Sequence, residues 1–208
     1  MKLRPQDRLP LVLLGLTLAL LVWSGIRPYD YATWGLEVFP AVAGIIAIAV
    51  THRRFPLTPL LLVLIFLHMA LLIVGGHYTY ARVPLGQWAM DLFNLERNHY
   101  DRLGHLMQGF VPALVAREVL VRNRVLARRG WLSFLIVCIC TAISAVYELI
   151  EWAVAEVAEA GSVEFLGTQG DEWDTQKDMA LCVVGAVLAL ITLSRLHDRQ
   201  IRQIDSGV

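Results

Sequence analysis

The 208-residue chain is 57% hydrophobic, and its 18 basic and 18 acidic residues cancel. So apolar a composition excludes an ordinary soluble domain, and zero net charge with no basic arm excludes a nucleic-acid binder. Cys138, Cys140 and Cys182 all lie inside apolar runs; they form no disulfide framework and no CxxC redox or zinc motif, and read as small buried hydrophobes.

Lys2, Arg4 and Arg8 stand before the first apolar run. No small-x-small cleavage site follows, so residues 9–26 read as a retained helix and not a signal peptide. Arg27-Pro28 closes it, a second helix covers 33–50, and Phe55-Pro56 opens a third over 57–76. Next comes an outer segment in which Leu85, Trp88, Ala89, Leu92 and Phe93 follow the i, i+3, i+4, i+7, i+8 pattern. With Gln87, Asp91 and Asn94 on its other side and a tryptophan in the stripe, residues 85–95 predict an amphipathic helix lying flat at the membrane surface. Three more runs, 100–120, 131–155 and 174–194, complete the set. Each is long enough for a bilayer core of about 30 Å, which takes roughly 20 helical residues. The fold class is therefore all-α: a polytopic membrane helix bundle of six transmembrane helices and one interfacial amphipathic helix, in a single integral-membrane domain.

The connections sort by charge. The N-terminal segment, Arg53 and Arg54, the stretch Arg117 to Arg129, and Arg195, Arg199 and Arg202 alternate with segments poorer in Lys and Arg. The last outer segment is acidic, with Glu156, Glu159, Glu164, Asp171 and Glu172. The positive-inside rule then puts both termini in the cytoplasm. Tyr78, Tyr80, Trp88, Trp152 and Trp173 fit an interfacial aromatic belt, Arg117 and Glu118 a cytoplasmic rim, and His68 a hydrogen-bonded core histidine.

Against this background the fourth helix is anomalous, since it opens with charges that hydrocarbon rejects. Asp101, His105 and Gln108 fall on one helical face. Glu148 and Glu151, three apart near the outer end of the fifth helix, and Asp174 and Asp178 at the start of the sixth reach the same level. His77 ends the third helix there, and Glu37 lies near the outer end of the second. One acidic side chain at mid-bilayer costs about 2.5–3.5 kcal/mol, so five carboxylates need compensation by protons, water or a divalent ion. Arg102 and Lys177 offer two positive charges if they turn inward. Imidazole and carboxylate together suit zinc, manganese or iron. The expected metal set is His105, Asp101, Glu148, Asp174, Asp178 and His77; Glu151 is the candidate general base, with Arg102 and Lys177 as further candidate catalytic groups.

HYTY at His77–Tyr80, YDRxGHxxQG at Tyr100–Gly109, YELIEW at Tyr147–Trp152 and FLGTQGDEWDTQKDM at Phe165–Met179 resemble the YjdF-like bacterial inner-membrane proteins. The resemblance implies a multi-spanning protein of the bacterial inner (plasma) membrane and implies that the four blocks belong together. It adds no reaction or substrate. The residues themselves favour a metal-dependent membrane hydrolase acting on a lipid or lipid-linked substrate. Two other readings are a proton- or cation-coupled transporter or channel, and a structural or partner-binding protein whose polar cluster locks the bundle and whose acidic outer loop is the contact surface.

Overall fold

The computed structural model describes residues 5–157 and 168–205. Among the described residues the regular elements are all helices, with no strand, and the α-helices are α1 Pro5–Ser24, α2 Tyr31–Thr51, α3 Pro59–Tyr78, α4 Pro84–Phe93, α5 Tyr100–Arg122, α6 Leu132–Val157 and α7 Asp174–Asp205. Local chemistry sets the starts. The Asp30 carboxylate accepts the Thr33 N–H at 2.8 Å to cap α2, and Thr58 caps α3 with proline at the first position, where no N–H is needed. Four of these helices, α2, α3, α6 and α7, are long and apolar enough to cross a membrane. α1 carries a shorter apolar stretch, Arg8–Ser24. α5, with Asp101, Arg102, His105, Arg117 and Glu118, is too polar to meet that measure. α7 runs on to Asp205, past the expected end at Ser194.

The chain divides into two compact units, one ending at Tyr100 and the other beginning at Asp101. In the first, α3 packs against α1 and α2 around Val38, Ala41, Met69 and Ile73. Tyr80 corrects the belt expectation: it is buried, stacked on Tyr100 with ring centroids 5.9 Å apart, while the Tyr100 hydroxyl donates to the Leu71 carbonyl at 2.9 Å. Asn98 ties the approach to α5 by donating to the Val83 carbonyl at 3.1 Å and accepting the Tyr100 N–H at 3.0 Å. Helix α4 turns its flat face towards this anchor, since a side chain at Gly86 would collide with Asn98. Leu85, Trp88, Leu92 and Phe93 are left exposed along its other side. That is the apolar stripe expected of a helix lying in the membrane surface.

In the second unit α5 is covered on nearly all sides, with only Leu103 and Val119 exposed between Asp101 and Leu120, while α6 and α7 each bury one stripe. On α6 it is Ile136, Cys140, Ser144, Glu148 and Glu151; on α7 it includes Asp174, Asp178, Cys182, Gly185, Ala189 and His197. The spacing of about four residues keeps each stripe on one face. Polarity is inverted relative to a soluble bundle: Glu148 and Glu151 are 8% and 7% exposed, while their neighbours Leu149 and Ile150 are 60% and 50% exposed. Such inversion is stable where the surroundings are lipid. The middle of the unit is closed by backbone contact. A Cβ on Gly109 would land on the Cys182 carbonyl, and one on Gly185 on the Leu106 carbonyl. Small residues let α5 and α7 approach this closely. The Cys140 and Cys182 thiols are buried beside the same crossing, whereas Cys138, expected to be buried, is exposed.

Candidate functional site

Asp101 and His105 occupy successive turns at the start of α5, so their side chains meet: His105 Nε2 lies 3.5 Å from Asp101 Oδ1. The other ring nitrogen, Nδ1, has Gln108 Oε1 at 3.2 Å and Glu148 Oε1 at 3.6 Å. Tyr147 closes one side of the imidazole, edge-to-face with centroids 6.3 Å apart, which places it in the site and not in the aromatic belt. From α7 comes Asp178. One ligand atom each from Asp101, His105 and Asp178 lie within 4.8 Å of one another, and all three residues are buried.

Acceptor oxygens face both nitrogens of the imidazole, Asp101 at Nε2 and Gln108 and Glu148 at Nδ1. Asp178 Oδ1 and Glu148 Oε1 are buried with no hydrogen-bond partner, although Asp178 is only 2% exposed. Among the described residues no lysine or arginine lies within ion-pair distance of Asp101, Glu148, Glu151 or Asp178. Buried acceptors that converge without donors are costly. A cation at their centre removes that cost, and nitrogen with two carboxylate oxygens is a donor set that a divalent transition metal accepts.

The remaining expected residues fall into place around this triad. Glu148 borders it through His105, and Glu151 is buried one turn further along α6. Asp174 is buried in the first turn of α7, with Arg102 Nη2 3.8 Å from its Oδ1. Arg102 and Lys177 turn elsewhere than expected. Both converge on Asp171, Arg102 Nη2 at 2.6 Å and Lys177 Nζ at 2.6 Å from the same Oδ2. The Lys177 hydrogen bond, then that of the Trp173 N–H, and the charges of Lys177 and Arg102 hold the Asp171 carboxyl below the usual carboxylate range. His77 belongs to the first unit, where Nδ1 lies 3.0 Å from the Ser24 carbonyl and the ring packs on Trp23 and Tyr78. Glu37 is also in the first unit and fully buried. Of the acidic outer loop, Glu159 and Glu164 lie outside the described residues.

Residues 9–199 match the family of predicted membrane proteins described as DUF2238. The chain is also 51% identical over 189 residues, 90% of each chain, to the inner membrane protein YjdF of Escherichia coli (strain K12). The chain belongs to this family. No solved structure matches it. In this family member, the blocks at Tyr100–Gly109 and Tyr147–Trp152 and the described part of Phe165–Met179 supply the site: Asp101, His105 and Gln108 from α5, Glu148 and Glu151 from α6, Asp174 and Asp178 from α7.

A second polar cluster, at the other end of the same three-helix unit, was not foreseen. Glu118, expected on a cytoplasmic rim, is fully buried; it lies 2.8 Å from His197 Nε2 and 2.8 Å from Arg122 Nη1. Arg117 is buried as well and donates to Asp198 at 2.7 Å. The missing partners sit on the continuation of α7. His197 and Ile201, four apart and both buried, carried the signal that the helix persists beyond Ser194. From Asp101 to Glu118 along α5 is about 25 Å at 1.5 Å per residue, close to the thickness of a hydrocarbon core.

Proposed function

We propose that this protein spans the bacterial inner membrane with six helices, both termini in the cytoplasm, and that Asp101, His105 and Asp178 hold a divalent metal ion in the outer half of the bundle. The ion serves hydrolysis of a lipid or lipid-linked substrate. The observation carrying the metal reading is the meeting of three buried ligand residues, one of whose facing oxygens, Asp178 Oδ1, is unpartnered at 2% exposure. The membrane setting is supported by four helices fit to cross, by the alternating Lys and Arg bias, and by the name of the 51% identical relative.

A bound divalent ion supplies Lewis acidity and acidifies water. This chain contributes the rest. Glu148 brings a carboxylate within 3.6 Å of the imidazole, whose orientation is set by Gln108. Glu151, buried one turn away, is the group available to take a proton from water. Arg102 and Lys177 present positive charge at the same end of the unit. A pocket reached from one side is favoured over a through-path, because the Gly109–Cys182 and Gly185–Leu106 contacts leave no room between α5 and α7 midway along the unit.

Side-chain amidation separates these roles. Glu151→Gln keeps size and hydrogen bonding, so metal content and melting stay near wild type while hydrolysis is lost. Glu148→Gln reduces metal content, because a neutral amide offsets the charge of the ion less well than a carboxylate. Equal metal content and equal activity in the two variants would sink the assignment.

A further inference from the structure

Arg124 holds a backbone position that arginine seldom takes. Helix α5 ends where the Arg124 N–H donates to the Val121 carbonyl and the Val125 N–H to the Leu120 carbonyl, both at 3.1 Å, a cap that needs a left-handed residue at its centre. Arg124 supplies it at φ 52°, where glycine would be unstrained. The side chain so placed lines a cleft of about 550 Å³ between the ends of α5 and α7, and Arg202 lines it too. The acidic groups of the cleft have other partners: Asp198 accepts from the buried Arg117 at 2.7 Å, and Asp205 lies 3.5 Å from Arg122 Nε. Among the described residues neither Arg124 nor Arg202 has a carboxylate within ion-pair distance, and both are exposed. A narrower apolar groove, lined by Leu120, Leu126 and Leu132, adjoins the cleft and shares Val121 and Arg124 with it. Next to Leu132 in sequence stands the exposed Trp131, a residue type that favours the headgroup layer. From Asp101 to Arg122 along α5 is about 32 Å at 1.5 Å per residue, so the carboxylate site and this cleft stand at opposite faces of a hydrocarbon core of about 30 Å.

We propose that Arg124 and Arg202 bind the phosphate of an acidic phospholipid, whose acyl chain lies along the groove of Leu120, Leu126 and Leu132. Two guanidinium forks match the oxygens of one phosphate. Basic residues at a helix C-terminus also complement the helix dipole, but that role calls for neither an arginine in a left-handed turn nor a leucine groove beside it. The groove favours a lipid over free phosphate, because only a lipid has apolar surface to bury there. A headgroup with net negative charge is favoured over a zwitterionic one, whose ammonium the arginines would repel. The site needs neither the metal nor the reaction at the other end of the unit.

The test is calorimetric titration of the full-length protein in a neutral detergent with three probes: dioctanoyl phosphatidylglycerol, dioctanoyl phosphatidylcholine and inorganic phosphate, each corrected for its heat in protein-free detergent. Phosphatidylglycerol binds saturably, and the other two bind at least about tenfold more weakly. Arg124→Gly and Arg202→Gln each weaken phosphatidylglycerol by about tenfold or more, as expected for the loss of charge-assisted hydrogen bonds. Arg124→Gly puts at the left-handed position the residue that suits it best, so its melting temperature stays at or above wild type and the loss is not one of folding. Arg128→Gln, at an exposed arginine of the same end that does not line the cleft, leaves binding unchanged. Inorganic phosphate bound as tightly as phosphatidylglycerol overturns the lipid assignment. Equal affinity for phosphatidylcholine overturns the charge selection. Wild-type affinity in both Arg124→Gly and Arg202→Gln, or an equal loss in Arg128→Gln, overturns the site and leaves only a diffuse attraction to a basic surface. Metal content measured on the same samples keeps this test apart from the hydrolase reading: wild-type protein that binds phosphatidylglycerol but retains no ion refutes only that reading, and protein that retains the ion but does not distinguish the three probes refutes only this one.

Discussion

Gly185→Ala adds one methyl group to the protein at a point where the structure has no space for it. The new Cβ would overlap the Leu106 carbonyl and touch the Phe110 nitrogen, both of them backbone atoms of α5. A side chain could rotate aside, but a helix backbone moves only if α5 and α7 separate as bodies. Overpacking of this kind costs about 1–3 kcal/mol. Alanine's better helix propensity returns up to about 1 kcal/mol, because glycine is poor in a helix interior. At about 2–4 °C per kcal/mol for a chain of this size, the melting temperature in detergent should fall by several degrees. Gly109→Ala should do the same against the Cys182 carbonyl. Gly35→Ala in α2 is the control, because nothing lies within 4 Å of its Cβ; it should leave melting unchanged or raise it slightly. Equal shifts at positions 35 and 185 would refute the close crossing of α5 and α7.

Glu118→Ala removes the acceptor of both Arg122 and His197 at full burial, so it should lower stability by about 3–5 kcal/mol without changing metal content; thermal melting and elemental analysis on one preparation check both halves. Asp171 titrates below the ordinary carboxylate value of about 3.9, so its stabilisation is present above that pH and is lost as pH falls through the folded value. The melting difference between wild type and Asp171→Asn should therefore be constant from pH 8 to 5 and shrink below about 4. For orientation, single cysteines placed at Arg124 and at Trp88 in a chain without its native cysteines report on opposite sides: an impermeant reagent applied to intact cells should label position 88 and spare 124, and the reverse pattern would invert the topology.

Much of the architecture could be read from the chain because lipid makes the rules simple. Every apolar run is a helix, and the stripe of Leu85, Trp88, Leu92 and Phe93 is exposed as its spacing required. The polar site was legible for the same reason: Asp101 and His105, or Glu148 and Glu151, cannot face hydrocarbon, so their helical spacing points them inward. Partner choice was not legible. Arg102 and Lys177 had several carboxylates in range of sequence reasoning, and only the turn before α7 selects Asp171. Tyr80 looked interfacial because its burial depends on the bend after α3 that lays it against Tyr100. The Glu118–His197 pair was hidden by charge: Arg195, Asp198, Arg199 and Arg202 resemble a cytoplasmic tail, and the burial of His197 and Ile201 among them shows only a weak four-residue pattern.

Metal content of the purified protein bears most directly on the central claim. Elemental analysis of wild type in detergent, after exposure to zinc, manganese and iron in turn and removal of loosely bound ions, should give one tightly held divalent ion per chain. His105→Ala and Asp178→Ala should lose it, while His68→Ala, altering a half-buried histidine of α3, should keep it. Wild-type protein that retains no ion under any loading, or a His105→Ala variant that retains as much as His68→Ala, would contradict the account.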